Sequence, residues 1–154
     1  VQGNGVGGLS SFTLEDVIVE QCDGCGVWTS GTACVARCTN VEVRQCTYSG
    51  VAAYEGASIT LMGAKTTVHH NNTSGDSIEF GLKVFRAKSK IQLVHPLTKE
   101  SVATDNQEGG NWGAKSGADI NQIQPILSSL PASSSGEPGE TKTVETDPTI
   151  IRVI

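Results

Sequence analysis

Five cysteines, three histidines and a scatter of carboxylates are the residues of this 154-residue chain with the most chemistry to offer. Cys22-x-x-Cys25 and Cys34-x-x-x-Cys38 have the close spacing of thiolates that hold a structural zinc ion. His69 and His70 are adjacent, so on a strand they face opposite sides and cannot clamp one ion between them. Asp16, Glu20, Asp23, Glu42 and Glu55 could supply the carboxylate pair, about 5–10 Å apart, that glycoside hydrolysis uses. The chain holds no Asp-Asp pair, no Gly-His-Gly and no Asp-Pro-His. Nor do Arg37, Arg44 or Arg86 sit beside the clustered aspartates that would bind calcium near an arginine base. For recognition rather than catalysis, Trp28, Tyr48, Tyr54 and Trp112 are the rings able to stack on a sugar.

Positioning such residues falls to a repeat. Val17-Ile18-Val19-Glu20-Gln21-Cys22, moved by 24 residues, lands on Val41-Glu42-Val43-Arg44-Gln45-Cys46. The same shift carries Gly26-Val27 onto Gly50-Val51, Gly31 onto Glu55, Ala33 onto Ala57 and Val35 onto Ile59. A looser copy starts at Thr67-Val68-His69-His70-Asn71, with its Gly-apolar partner delayed to Gly81-Leu82 by an insertion. Lys90-Ile91-Gln92-Leu93 repeats Ser58-Ile59-Thr60-Leu61 and runs on to Gly110-Asn111-Trp112, while Gly5-Val6 reads as the end of an earlier copy. Within each copy the apolar residues alternate: Val17/Val19, Val41/Val43 and Ile59/Leu61 each face one side of a strand. No segment keeps helical spacing over ten or more residues. Each copy has too little core to stand alone, so copies must stack at about 4.8 Å, each strand pairing with its equivalents above and below. The remainder of each copy supplies the long crossover that parallel strands require.

The coil pattern Val-x-Val-x-x-Cys-x-x-x-Gly-Val resembles the right-handed parallel β-helix repeat family, especially the repeat-rich β-helix proteins of unicellular algae. Gly56-Ala57-Ser58-Ile59-Thr60-Leu61 and Thr66-Thr67-Val68-His69-His70-Asn71 carry the resemblance most closely. It covers roughly residues 1–125 and implies a pectin-lyase-like fold. The wider superfamily spans polysaccharide lyases, glycosidases, epimerases, phage tailspikes and non-catalytic scaffolds, so fold alone implies no activity. The expected fold is all-β: a right-handed parallel β-helix of about four to five coils over residues 1–127, each of roughly 24 residues or more. Residues 128–148 are rich in Ser, Pro, Gly, Glu and Thr, as expected of a flexible linker, and 149–154 form a short β-prone end able to pair with a sheet edge. The chain opens on Val1 without a charged-then-apolar leader, which reads as a fragment or processed chain with N-terminal coils missing.

The repeat also reassigns the reactive residues. Cys22 and Cys46 occupy one position in successive copies, which favours a column of small core residues over zinc or a disulfide. His69 aligns with Arg44 and Glu20 in an outward polar column, either plain surface or a catalytic face with His69 as general base. Asn71 and Asn72 head overlapping Asn-x-Ser/Thr glycosylation acceptors, although Asn71 replaces Cys46 at a corner where Asn satisfies backbone groups. The insertion at 75–80, with Asp76 and Glu79, should bulge outward as a binding loop. A net charge of −5 with scattered basic residues argues against nucleic acid, and no apolar run is long enough to span a bilayer. The expected function is a non-catalytic module presenting Trp28, Tyr54, Asp76 and Glu79 to a glycan or protein partner, without metal or cofactor. The alternative is a polysaccharide-active enzyme (lyase, glycosidase or epimerase) using Glu20, Arg44 and His69.

Overall fold

The computed structural model describes residues 5–128 and the backbone of 149–152. The expected linker over 128–148 therefore lies, apart from Ser128, outside the described residues.

The chain makes repeated passes through three short strands. The first pass is β1 (Val6–Gly8), β2 (Phe12–Glu15) and β3 (Val17–Glu20). The second is β4 (Val27–Ser30), β5 (Val35–Thr39) and β6 (Glu42–Arg44). The third is β7 (Val51–Tyr54), β8 (Ser58–Met62) and β9 (Thr67–His69). The fourth runs β10 (Leu82–Phe85), β11 (Lys90–Val94), a one-turn helix α1 (Lys99–Val102) and β12 (Ala103–Thr104). Then follow β13 (Trp112–Lys115), a 3-10 turn at Ile120–Gln122, β14 (Ile123–Ile126) and β15 (Thr149–Arg152).

Every third strand lies side by side. The first sheet is ordered β1-β4-β7-β10-β13, the second β14-β11-β8-β5-β2 and the third β12-β9-β6-β3-β15, and all pairings are parallel. The protein is thus all-β with three stacked parallel sheets, an arrangement compatible with a parallel β-helix. The core lies between the sheets. It is built by the alternating residues of the repeat, with Val19, Val43, Val68, Ile59, Leu61, Ile91 and Leu93 fully buried.

Corners between sheets repeat as strictly as the strands. Gln21, Gln45, His70 and Asp105 each follow a strand of the third sheet and each adopt a left-handed backbone. Asp16, Asn40 and Gly63 do the same after the second sheet, and Gly31, Glu55, Arg86 and Ser116 after the first. A left-handed residue costs roughly 1–2 kcal/mol unless it is Gly or Asn, so the tightness of the turn, set by the packing of both strands, outweighs local preference here. The Gly26-Val27 and Gly50-Val51 corners need glycine for another reason: a Cβ at Gly26 would run into Val43, and one at Gly50 into Val68.

Two features differ from the sequence reading. Val35 lies opposite Ser58, and Ala36 opposite Ile59, so the uniform 24-residue shift slips by one residue here. The link Gly31–Cys34 is one residue longer than Glu55–Ala57, and the strands re-register to keep Ala36 and Ile59 inside. No segment keeps helical spacing over ten or more residues, yet α1 forms a single turn because Thr98 and Ser101 cap each other reciprocally. No helix among the described residues is long and apolar enough to cross a membrane.

At two sheet ends the edges are treated differently. β15 covers β3, with Thr149 opposite Val17 and Arg152 opposite Glu20. Among the described residues β14 ends the second sheet, and it contains Pro125 opposite Leu93. The His95 amide donates to the Ile126 carbonyl at 2.8 Å, so Ile126 turns its backbone toward β11 and Pro125 turns toward the open edge.

Candidate functional site

The polar column anticipated on the third sheet assembles. Glu20, Arg44 and His69 sit opposite one another on β3, β6 and β9. The Arg44 guanidinium donates to Glu20 at 2.7 and 2.8 Å and to Glu42 at 2.8 Å. His69 Nε2 lies 2.9 Å from Glu42, and His69 Nδ1 lies 2.6 Å from His70 Nδ1. The hydrogen bond to Glu20 raises the Arg44 pKa further, so the guanidinium stays charged. One of the two facing histidine nitrogens must carry a proton and the other a lone pair, which ties the two tautomers together. The chain of contacts Glu20–Arg44–Glu42–His69–His70 orients an imidazole against a carboxylate, but both ring nitrogens of His69 are engaged within the ladder, which leaves none directed at a substrate proton. Glu20 is almost completely buried beneath Arg44, which makes it an anchor of the ladder rather than a group facing solvent.

The aromatic residues converge on a different face. Trp28 and Tyr54, on neighbouring strands of the first sheet, line one open cleft of about 420 Å³ together with Tyr48, Leu9 and Cys25. Trp28 sits opposite Gly7 and Ala52, and its ring packs over Gly7, where a Cβ would fall 2.7 Å from the indole. Tyr54 meets Phe85 at a ring-centroid distance of 5.6 Å and an angle of 54°. Its hydroxyl lies 3.4 Å from Cys25 Sγ, and burial raises its pKa. Tyr48 and Leu9 are exposed at the rim, so the cleft presents apolar surface to solvent. Trp112, by contrast, packs against the core with the Lys99 ammonium 5.5 Å from its ring.

The insertion divides in two. Its tip, Asp76-Ser77-Ile78, is exposed as expected of a bulge. Glu79 and Phe80 instead fold down onto the first sheet and are buried. Glu79 accepts from Lys83 Nζ at 2.8 Å and from the Ser49 hydroxyl at 2.5 Å, while Phe80 covers Gly113. The Lys83 ammonium lies 5.7 Å from the Tyr54 ring and 5.6 Å from that of Phe85. Neither Asp76 nor Glu79 lines the aromatic cleft; Glu79 works beneath it as a staple. The spacing alone does not reveal this pair, because it depends on the insertion folding back to bring Glu79 onto Lys83 and Ser49.

Cys22 and Cys46 are buried free thiols at equivalent corners, and all five cysteines are free. A hydrogen bond from Cys46 holds the Cys22 thiol below its ordinary value and raises that of Cys46. Burial pushes Cys38 up to about 12 and raises Cys25. Among the described residues no three His, Cys, Asp or Glu side chains are placed to hold a metal ion.

The corner continues upward in asparagine. Asn71 Oδ1 accepts from the Cys46 amide, and Asn71 Nδ2 donates to the carbonyls of Val43 and His69 and to Asn106 Oδ1. Asn106 repeats the motif with Val68, Thr104 and Asn111. Asn72 is equally buried, its amide donating to the carbonyls of Asp76, Glu79 and Glu108. Both sequon nitrogens are therefore committed inside the protein. Passage through a glycosylating secretory pathway should leave the folded chain's mass unshifted at both positions, as intact-mass measurement would show.

Comparison with protein-family models, with curated proteins and with solved structures found no match for this chain. The resemblance to the algal repeat proteins has no family match behind it, and what the structure adds is the parallel, stacked arrangement of the sheets.

Proposed function

We propose that the chain is a right-handed parallel β-helix module that binds a glycan without chemically altering it. Support for the fold reading comes from the parallel pairing of every third strand and from corners that repeat at equivalent positions. Support for binding comes from one observation above others: Trp28, Tyr48 and Tyr54, separate in the sequence, meet in a single exposed apolar cleft. Flat rings beside polar backbone suit a pyranose, whose axial C–H face stacks while its hydroxyls reach Ser30 and Glu55 at the same cleft. Isothermal titration against a panel of plant and algal oligosaccharides tests this. Trp28→Ala and Tyr48→Ala are each expected to weaken binding by about tenfold, equivalent to about 1.4 kcal/mol. A panel without binders, or affinity indifferent to both substitutions, would remove the reading.

The enzyme alternative draws on the Glu42–His69 contact of 2.9 Å. Incubation with the same polysaccharides, assayed for reducing ends and unsaturated products, is expected to show no turnover. Turnover abolished by Glu20→Ala, Arg44→Ala and His69→Ala together, with circular dichroism unchanged, would establish catalysis at the ladder instead.

A further inference from the structure

The two adjacent histidines come together, although neighbours on an extended strand point apart and could not share an ion. The corner removes that obstacle. His69 ends β9, and His70 follows it with a left-handed backbone at a φ of 55°. The turn swings the second ring back, so the imidazoles meet edge to face with their Nδ1 atoms 2.6 Å apart. On the far side of the His69 ring, Nε2 lies 2.9 Å from Glu42 Oε1. An ionised carboxylate only accepts, so Nε2 carries the proton and the neutral ring keeps its lone pair on Nδ1. Arg44 in turn fixes Glu42 at 2.8 Å. A carboxylate holding one imidazole nitrogen, with the other nitrogen directed outward, is how proteins orient histidines that ligate metals.

We infer that His69 and His70 form a surface site for a divalent transition-metal ion, held through the two Nδ1 atoms, with Glu42 as the positioning residue. The ion takes the place of the proton between the nitrogens. His70 moves that proton from Nδ1 to Nε2, and both rings stay neutral. Two nitrogens each about 2.0–2.1 Å from one ion stand about 2.8–3.4 Å apart, so the rings open by less than about 1 Å. His70 is exposed and has room to give that much. Imidazole ligands select zinc(II), nickel(II) or copper(II) over calcium and magnesium, which take oxygen ligands. The surroundings favour a cation: Glu20 and Glu42 together outweigh Arg44, and Asp105 occupies the equivalent corner of the next pass. Among the described residues no third His, Cys, Asp or Glu joins the pair, so solvent completes the coordination and the site is open rather than closed.

The test titrates zinc(II) chloride into the chelator-treated full chain by calorimetry and follows the histidine ring nitrogens by long-range proton–nitrogen NMR. Zinc is expected to move the Nδ1 signals of His69 and His70 together and to leave those of His95 in place. Two substitutions use residue types that the fold already holds at equivalent positions, and so spare the backbone: His70→Gln, as at Gln21 and Gln45, and His69→Thr, as at Thr104. Each should weaken zinc binding by about tenfold or more, since one of two ligands is lost. Glu42→Ala removes no ligand, yet it should weaken binding by about tenfold and release His69 from its single tautomer in the same nitrogen spectrum. Magnesium chloride should leave every ring signal unmoved. Zinc held by the partly exposed thiols of Cys25 and Cys34 would instead leave the ring nitrogens in place and the affinity unchanged in both histidine variants. That result, or no zinc binding at all, would overturn the inference.

Discussion

Lys83 and Glu79 are buried charges, whereas Arg44 and Arg86 in the Glu20 and Glu55 pairs are more exposed. Their attraction compensates a desolvation cost only while both are present, and Ser49 satisfies the second carboxylate oxygen. Lys83→Met should therefore lower stability by about 3–5 kcal/mol in urea melts, because Glu79 remains buried and unpaired. Lys83→Met combined with Glu79→Gln should recover much of that loss. An additive double variant would show that the two side chains do not act on one another. At this scale the sequence was legible wherever the repeat constrained a residue. Glu20, Arg44 and His69 could be placed in one column by counting, and they meet there. Glu79 could not be read so, since it lies in the insertion, where no second copy shows which way it faces.

Between residues and the whole molecule, strands and corners carry the specificity. Val43 is fully buried on β6 while Glu42 beside it faces the ladder. Val43→Asp should cost about 3 kcal/mol or more, from an unpaired charge in the core, whereas Glu42→Lys should cost about 1 kcal/mol or less. Equal losses in denaturant melts would mean that the strand is shifted by one residue. At the corners, Asn71→Ala removes the acceptor for the Cys46 amide and donors to two carbonyls, for an expected loss of about 1–3 kcal/mol. Strand positions were legible because alternation has a period of two and the Val-x-Val pairs mark it. The left-handed corners were not, because Gln21, Gln45 and Glu55 carry no local preference for that conformation and adopt it under the demand of the strands around them. The one-residue slip at Val35 escaped for a related reason: a fixed shift of 24 residues assumes equal links, and packing corrects their inequality.

For the molecule as a whole, the buried thiols set an alkaline limit. Burial pushes the Cys38 thiol up to about 12 from an ordinary value of 9.0, so the folded state holds its proton where the unfolded state releases it. That contribution is complete below about pH 9 and declines as pH rises from 9.0 toward about 12; Cys25 and Cys46 are shifted in the same direction. Cys22, shifted the other way, works against this, so the fall in melting temperature above pH 9 is expected from Cys38 and should be shallower in Cys38→Ala if the fold is retained. Pro125 bears on how such molecules behave together. An open parallel edge is a template on which another chain can add a strand, and a stack of identical edges is a seed for fibres. Placed with its missing N–H toward that edge, Pro125 takes away a donor the newcomer would need. This end of the second sheet is therefore a terminator of growth. Pro125→Val should shorten the lag before thioflavin-positive fibrils form, at little cost to the stability of the monomer.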